Sequence, residues 1–595
     1  MPLILSIDKE KHDNNTLRRW AFVGRKLEVT DMDESKLSPI GQANLKGVRE
    51  GQKVYRAFAE TCQNAMAINT ALLMKILDDN KDTEYGRKYG FGEITSVAEY
   101  QKRVPVVTYE DIKPYTDRMT EQGEENLLTV YPVIHFSKTS GTTGEPKRIP
   151  FTDEMAKVHG KYGIAYQDGL LGDKIGLDWV DGKKISLLEA GITTLPSGHT
   201  FGSFSGKTIL DCRDSLGYLF TSPAEAMIPD KTTETRYLYA RYALMEKNVT
   251  GAFCVTYSSV VEFMRYIEKN WPMLVDDIAK GTIDLSIQMN DEVRAGLEAK
   301  LTPMPERAAE LAAIFAQGFD EPAAPKLWPR WQYLVGVGTG GFAIYAEMLR
   351  RRYLGEQIAQ YHVGLFASEG HFSVPLDVNS NESVLIPDSL FYEFLPLGEE
   401  DLSKCVTLDQ VEAGQSYEIL CTNLAGLYRY RMQEAVKVVG WYYGAPKIEF
   451  LYRINQTVSM LGEKTTEIAI GRAVTLTAQH LALGLEEYSV YPDHTADPLC
   501  YRFFMETDEL PAGVDAEVIR QELEKNLSKI NPSLGDKISR RLLGPIQLHL
   551  LPAGTYQRYR RQRVMEGASA MQMKPPHVLI DAEQVAFFAA AAHKG

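Results

Sequence analysis

A chain of 595 residues with 44% hydrophobic and 24% charged residues has the composition of a soluble globular protein and is too long for one ordinary core. Sixty-five Lys and Arg against 79 Asp and Glu give a net charge of −14, which excludes a broad nucleic-acid surface and leaves only local positive pockets for small anions. No apolar run approaches the ~18 residues of a membrane-spanning helix. The cysteines at 62, 212, 254, 405, 421 and 500 form no CxxC pair or metal-ligand spacing, so the expectation is a cytoplasmic protein in a reducing compartment, without membrane or nucleic-acid partners.

Residues 1–50 are polar and mixed in charge, and they predict a loosely packed leading segment. From Gly51 to Asp79 the apolar residues Val54, Phe58, Ile68, Leu72 and Ile76 recur at helical spacing, which predicts a long amphipathic helix or a pair. Next, Val104 to Val107 reads as a short buried strand, and Tyr109 to Lys113 as a helical turn leading to Pro114. An apolar run then opens into Thr139, Ser140, Gly141, Thr142, Thr143, Gly144, Glu145, Pro146 and Lys147. Glycines that permit close backbone approach, hydroxyls and a terminal lysine are what an anion-binding loop requires. The lysine lies three residues after the last glycine, which is not the Walker spacing. Thr152 or Asp153 can cap a helix running to about Leu170 and aim its positive end back at the loop.

From Lys184 to Gly340 strand-like runs alternate with helices, the pattern of an α/β architecture. Leu334 to Tyr345 reads L-V-G-V-G-T-G-G-F-A-I-Y, a strand opening into a Gly/Thr turn. Leu365 to Phe372 reads L-F-A-S-E-G-H-F, and its Glu369 is a single carboxylate suited to a hard cation that bridges phosphates. Asn423 to Val439 carries the run L-Y-R-Y-R-M-Q-E, and after a strand at Ile448 to Leu451 come Arg453, Ile454 and Asn455. The last 140 or so residues read as one α+β unit, and near their end Gly567 to Pro575 reads G-A-S-A-M-Q-M-K-P. The arginines at 558, 560, 561 and 563 form a basic run that reads as a solvated face.

In combination these segments resemble the auxin-responsive Gretchen Hagen family of acyl-acid amido synthetases, within the adenylate-forming superfamily. The resemblance covers the chain from about Lys53 to Ile580. It implies an α/β fold: a large amino-terminal domain of mixed β-sheets flanked by helices, residues 1–452, and a small mobile α+β carboxy-terminal domain, residues 453–595. It further implies ATP and Mg2+ as cofactors and a small-molecule carboxylic acid and an amino acid as substrates, joined through acyl-AMP. In that scheme the loop from Thr139 to Lys147 binds phosphates, and Gly338, Thr339, Ser368 and Arg453 border the nucleotide. Glu369 holds Mg2+, Glu434 takes the ribose, Lys574 is the catalytic lysine, and Tyr162 and Tyr166 line the acyl pocket. The chain departs from the family at Gln433-Glu434, where the family has Gly-Asp, at Leu365, where it often has tyrosine, and at Ser373, where it has glycine. Two alternatives therefore stay open: an acyl-CoA ligase of the same superfamily, and a non-catalytic relative that has lost adenylation. A monomer is expected.

Overall fold

A computed structural model describes residues 32–138, 146–230, 232–454, 457–458, 460–461, 463, 465–566, 573–579 and 582–592. The phosphate-loop residues Thr139 to Gly144 lie outside these, as do Asn455 and Lys464.

Among the described residues, three sheets of four or more strands build the part of the chain up to Arg453. Lys183–Leu187, Val249–Thr256, Tyr333–Val337 and Ala359–His362 pair side by side, all parallel. Their apolar runs are nearly continuous because helices cover both faces, as parallel sheets require. Val133–Lys138 and Arg148–Thr152 pair as an antiparallel hairpin in a second, four-stranded sheet, so the predicted phosphate loop is the connection of that hairpin. The third sheet has seven antiparallel strands, and its centre is the hairpin Tyr430–Tyr442 with Ala445–Arg453.

The described part of the leading segment, residues 32–50, differs from expectation. Pro39–Gln63 is one helix, capped by the Ser38 hydroxyl, and it buries Gly41, Leu45 and Val48 before the predicted helix even begins. A Cβ at Gly51 would lie 2.1 Å from the Ala165 carbonyl, and one at Gly169 would lie 2.2 Å from the Gly51 carbonyl. Two glycines thus let this helix cross Tyr166–Ile175 backbone to backbone, and tertiary contact rather than propensity fixes its start. The second helix of the pair is Ala65–Asp79. The helical turn at Tyr109 also runs further than expected, through Pro114 to Glu121. The Thr108–Asp111 capping box fixes its start, and Ile112, Thr116 and Met119 bury its inner face.

From Val458 onward the buried apolar residues form cores separate from those ending at Phe450. Strands Leu485–Asp493, Cys500–Thr507 and Gln547–Leu551 carry helices Glu467–His480 and Ala516–Ile530, packed through Ile470, Val474, Phe503, Leu523 and Leu527. Residues 573–579 return along this sheet: the Val490 amide donates to the His577 carbonyl at 2.8 Å, and the Leu579 amide donates to the Val490 carbonyl at 2.8 Å. Contacts between the two parts are ionic as well as apolar. Arg265 pairs with Glu486 at 3.0 Å, and Arg560, the inward member of the basic run, pairs with Glu262 at 3.3 Å.

Candidate active site

The hairpin Tyr430–Tyr442 and Ala445–Arg453 brings the first pair of charges together. Glu418 pairs with Ala435 but Leu420 pairs with Arg431, so Met432, Gln433 and Glu434 bulge out opposite Ile419. Gln433 carries the bulge at φ +56, the left-handed conformation that the family's glycine would adopt freely. Glu434 is thereby set opposite Arg453, whose Nε donates to Glu434 Oε1 at 3.1 Å. The other oxygen, Oε2, is buried and has no hydrogen-bond partner among the described residues.

Ser368 and Glu369 form the tight turn between strands Phe366–Ala367 and Gly370–His371. The Asn423 side-chain amide, through Nδ2, donates to the Glu369 carbonyl at 2.8 Å and anchors that turn. Burial and the neighbouring Glu434 push the Glu369 carboxyl up, against the opposing pull of Lys147 and Arg453. Lys147 Nζ donates to the Tyr430 hydroxyl at 3.4 Å and lies 5.6 Å from the centroid of the Tyr109 ring. The Gly/Thr turn packs closely against Tyr257 and Phe450. A Cβ at Gly338 would sit 2.4 Å from the Tyr257 ring, and Gly340, at φ +61, leaves no room for a Cβ against Phe450. Thr339 precedes the short helical turn Gly340–Phe342.

Lys574 reaches this cluster from the carboxy-terminal part. Its Nζ lies over the Phe342 ring, 4.9 Å from the centroid. Burial and Arg453 push its pKa down to about 8, while Glu467 and Glu434 resist the fall. Three residues on, His577 fixes the segment. Its Nδ1 lies 2.9 Å from Glu467 Oε1 and its Nε2 3.1 Å from Glu487 Oε1, while the Tyr345 hydroxyl donates to Glu487 at 2.8 Å. The ring stacks on Tyr488, with centroids 4.4 Å apart and planes 8° apart. Burial pulls the His577 pKa down, but the two carboxylates outweigh it and hold the imidazole up at about 9.

The structure therefore brings together Lys147, the turn from Gly338, Glu369, Glu434, Arg453 and Lys574, which lie far apart in sequence. Tyr162 and Tyr166 are not part of this cluster. Both are fully buried against Phe58 of the first helix, with ring centroids 5.9 and 5.2 Å away. Their hydroxyls are already engaged, Tyr162 with the Asp388 carboxylate at 2.5 Å and Tyr166 with the Pro375 carbonyl at 2.9 Å. The same helical run instead turns Met155, Val158 and His159 into a cavity that reaches Glu369. Sequence reasoning missed Tyr345, Glu487 and His577. Only the position of His577 just after the lysine motif hinted at a role.

No group of three or more His, Cys, Asp and Glu placed to hold a metal occurs among the described residues. The donor set nonetheless fits a magnesium ion that takes most of its ligands from phosphates and water. Glu434 lies close enough to oppose the ionisation of Glu369, and a cation between phosphates and Glu369 would relieve that. No helix among the described residues is long and apolar enough to cross a membrane.

Comparison with protein families matches residues 54–358 to the GH3 family N-terminal domain, 383–453 to the GH3 family central domain and 469–583 to the GH3 family C-terminal domain. Among curated proteins, an indole-3-acetic acid-amido synthetase of Arabidopsis thaliana, GH3.3, is 28% identical, the match covering 88% of this chain and 91% of that protein. A jasmonoyl–L-amino acid synthetase of Nicotiana attenuata, JAR6, is 26% identical over 88% of this chain and 93% of its own length. Among solved structures, the GH3.15 acyl acid amido synthetase in complex with 2,4-DB superimposes with a TM-score of 0.79 at 25% identity, covering 91% of this chain and 96% of that one.

Proposed function

The chain belongs to the GH3 family, and from that membership and the charged cluster we propose that it joins a carboxylic acid to the amine of an amino acid at the expense of ATP. A carboxylate oxygen attacks the α-phosphorus, the bond to the bridging oxygen breaks, and pyrophosphate leaves. The amine nitrogen then attacks the acyl carbon, AMP departs with the bonding pair, and the amine gives up a proton. Because the mixed anhydride already carries its leaving group, the protein's work is placement and charge stabilisation, with no covalent nucleophile.

The observation that carries this reading is the convergence of Lys574 with Glu434 and Arg453 from two separately packed parts of the chain. Lys574 faces the negative charge that builds on the reacting carboxylate and the departing pyrophosphate. The unpartnered oxygen of Glu434 is suited to accept ribose hydroxyls while Arg453 holds its other oxygen. Gln433 adopts the bulge that glycine would, so the Gln-Glu departure keeps the backbone geometry that presents the carboxylate. Glu369 would hold Mg2+, which neutralises polyphosphate charge when bound. Lys147 and the loop hydroxyls and amides of 139–144 are assigned to the phosphates, the latter on their sequence pattern alone. Ser368 and the turn at Gly338 and Thr339 would border the base. A mobile carboxy-terminal domain from Arg453 onward is part of the same reading, supported by its separate core and by ionic pairing to the larger part. A cytoplasmic setting is supported by six free cysteines, all but Cys212 buried.

The test is pyrophosphate release from ATP and Mg2+ with pooled carboxylic acids, with and without pooled amino acids, followed by mass spectrometry. An amide product is expected. A thioester formed only with coenzyme A would replace this reading with that of an acyl-CoA ligase.

A further inference from the structure

Two side chains of the larger part meet two of the carboxy-terminal part in matched register. Phe342 and Tyr345 stand three residues apart on the helical turns that follow the Gly/Thr turn, and Lys574 and His577 stand three residues apart on the returning segment. Lys574 Nζ lies 4.9 Å from the centroid of the Phe342 ring, and the His577 ring stacks on Tyr345, with centroids 6.2 Å apart and planes 14° apart. The Tyr345 hydroxyl donates to Glu487 at 2.8 Å and lies 3.1 Å from His577 Nε2. Tyr345 therefore touches both members of the ion pair that fixes the lysine segment.

A second contact grips the same strand beside it. Arg265, on helix Tyr257–Lys280, donates to the carbonyls of Leu485 at 3.3 Å and Glu486 at 3.1 Å and pairs with the Glu486 carboxylate at 3.0 Å. Two side chains thus hold three consecutive residues at the start of strand Leu485–Asp493. The seam around them is largely polar. It holds a cavity lined by Glu262, Arg265, Tyr345, Glu486, Tyr556 and Arg560, and Arg265 Nε is buried without a hydrogen-bond partner among the described residues. A polar boundary between domains permits relative motion, so a few directed contacts decide its geometry.

We propose that Tyr345, backed by Arg265, is a positioning residue for acid activation: it fastens the carboxy-terminal part in the arrangement that sets Lys574 in the charged cluster, and its release frees that part for amide formation. The proposal rests on the amido synthetase reading above and on its mobile carboxy-terminal part, and it names the residues that hold that part in place. Release strands no buried charge. When the hydroxyl withdraws, Glu487 keeps the Tyr488 amide at 3.1 Å and His577 Nε2 at 3.1 Å. Arg265 keeps Glu262, one turn before it on its own helix, at 3.8 Å. Breaking a buried pair is costly when one charge is left alone, and here neither is.

Two readouts test this, one of them free of substrates. The first is the distance between spin labels on the exposed Cys212 and on Leu542→Cys, also exposed, measured by pulsed electron paramagnetic resonance; the other five cysteines are buried. Tyr345→Phe/Arg265→Met should shift the distribution away from the distance the unsubstituted protein favours. The second compares half-reactions with pooled carboxylic acids: ATP–pyrophosphate exchange, and a single-turnover chase of preloaded acyl-AMP with pooled amino acids. A hydrogen bond to a charged group weighs a two-state equilibrium by a factor of about 10 to 100. Exchange in the double variant should therefore slow by at least about 10-fold, while the chase stays within about 2-fold of the unsubstituted rate or quickens. Tyr345→Phe alone should do less, and Tyr345→Phe/Arg265→Lys, which keeps the charge opposite Glu486, should fall between. Exchange at the unsubstituted rate in the folded double variant, or equal slowing of exchange and chase, would overturn the positioning role. An unchanged distance distribution overturns the fastening whatever the assays show, whereas silence of the unsubstituted protein in both assays would overturn the reaction reading.

Discussion

His371 and His577 are buried to nearly the same degree, 5% and 3% exposed, yet they are opposite electrostatic objects. Burial penalises the charged imidazole in both. Around His577 two glutamates reverse the penalty and hold it protonated to about pH 9. Around His371 the neighbours are aromatic rings and a second histidine, and the ring stays neutral down to about pH 3. Depth alone therefore does not set a histidine's charge; carboxylates within hydrogen-bonding distance do. The charged histidine spans the two parts of the chain and fixes the segment that carries Lys574, and the neutral one lines the cavity beside Glu369.

The largest effect should come from removing the charged member. His577→Leu leaves Glu467 and Glu487 buried without their cation, and breaking such a pair costs about 3–5 kcal/mol. His371→Leu removes nitrogens that have no hydrogen-bond partner within 3.5 Å among the described residues, so its effect on stability should stay within about 1 kcal/mol or be favourable. Urea denaturation of the two variants measures both. Equal losses would dissolve the distinction.

The pH dependence should separate them next. His577 has a folded pKa above its unfolded value, so its contribution is complete below about pH 6.5 and is lost as pH rises to about 9. His371 and His159 have folded values below it, so their contribution is complete above about pH 6.5 and is lost as pH falls toward about 3 to 4. Imidazole resonances followed by NMR should show His577 titrating near 9 and no His371 titration between pH 5 and 8. A His577 resonance that titrates near 6.5 would remove the ion pairs from the account.

A smaller effect is expected at the bulge. Gln433 holds φ +56, which costs a residue with a side chain about 1 kcal/mol relative to glycine. Gln433→Gly should raise stability by a few tenths to about 1 kcal/mol, after the greater entropy of glycine in the unfolded chain is counted. ATP affinity should be unchanged. A destabilised Gln433→Gly variant would show that the Gln433 side chain contributes more than the bulge costs.

Much of the candidate site was legible because its charged residues sit in short contiguous runs. Glu369 in its Ser-Glu turn, Glu434 after L-Y-R-Y-R and Lys574 after G-A-S each stand in a pattern that a single stretch displays. The strand Tyr333–Val337 was equally readable, since a buried parallel strand is a continuous apolar run. What stayed hidden depends on faces meeting. Tyr162 and His159 share one helical run, and only the approach of the first helix decides that the tyrosine faces the core and the histidine faces the cavity. The partners of His577 come from residues 345, 467 and 487, and no local signal joins them. The start of the first helix was unreadable for a similar reason: its early turns carry few large apolar residues and are held by a glycine-mediated crossing.

The most direct test of the account is Lys574→Ala, assayed by ATP–pyrophosphate exchange and, in parallel, by ATP binding. Loss of a preorganised charge at the transition state predicts exchange slowed by about 100-fold or more, with ATP affinity changed only a few-fold. Exchange at the wild-type rate would take Lys574 out of the reaction and with it the convergence on which the assignment rests.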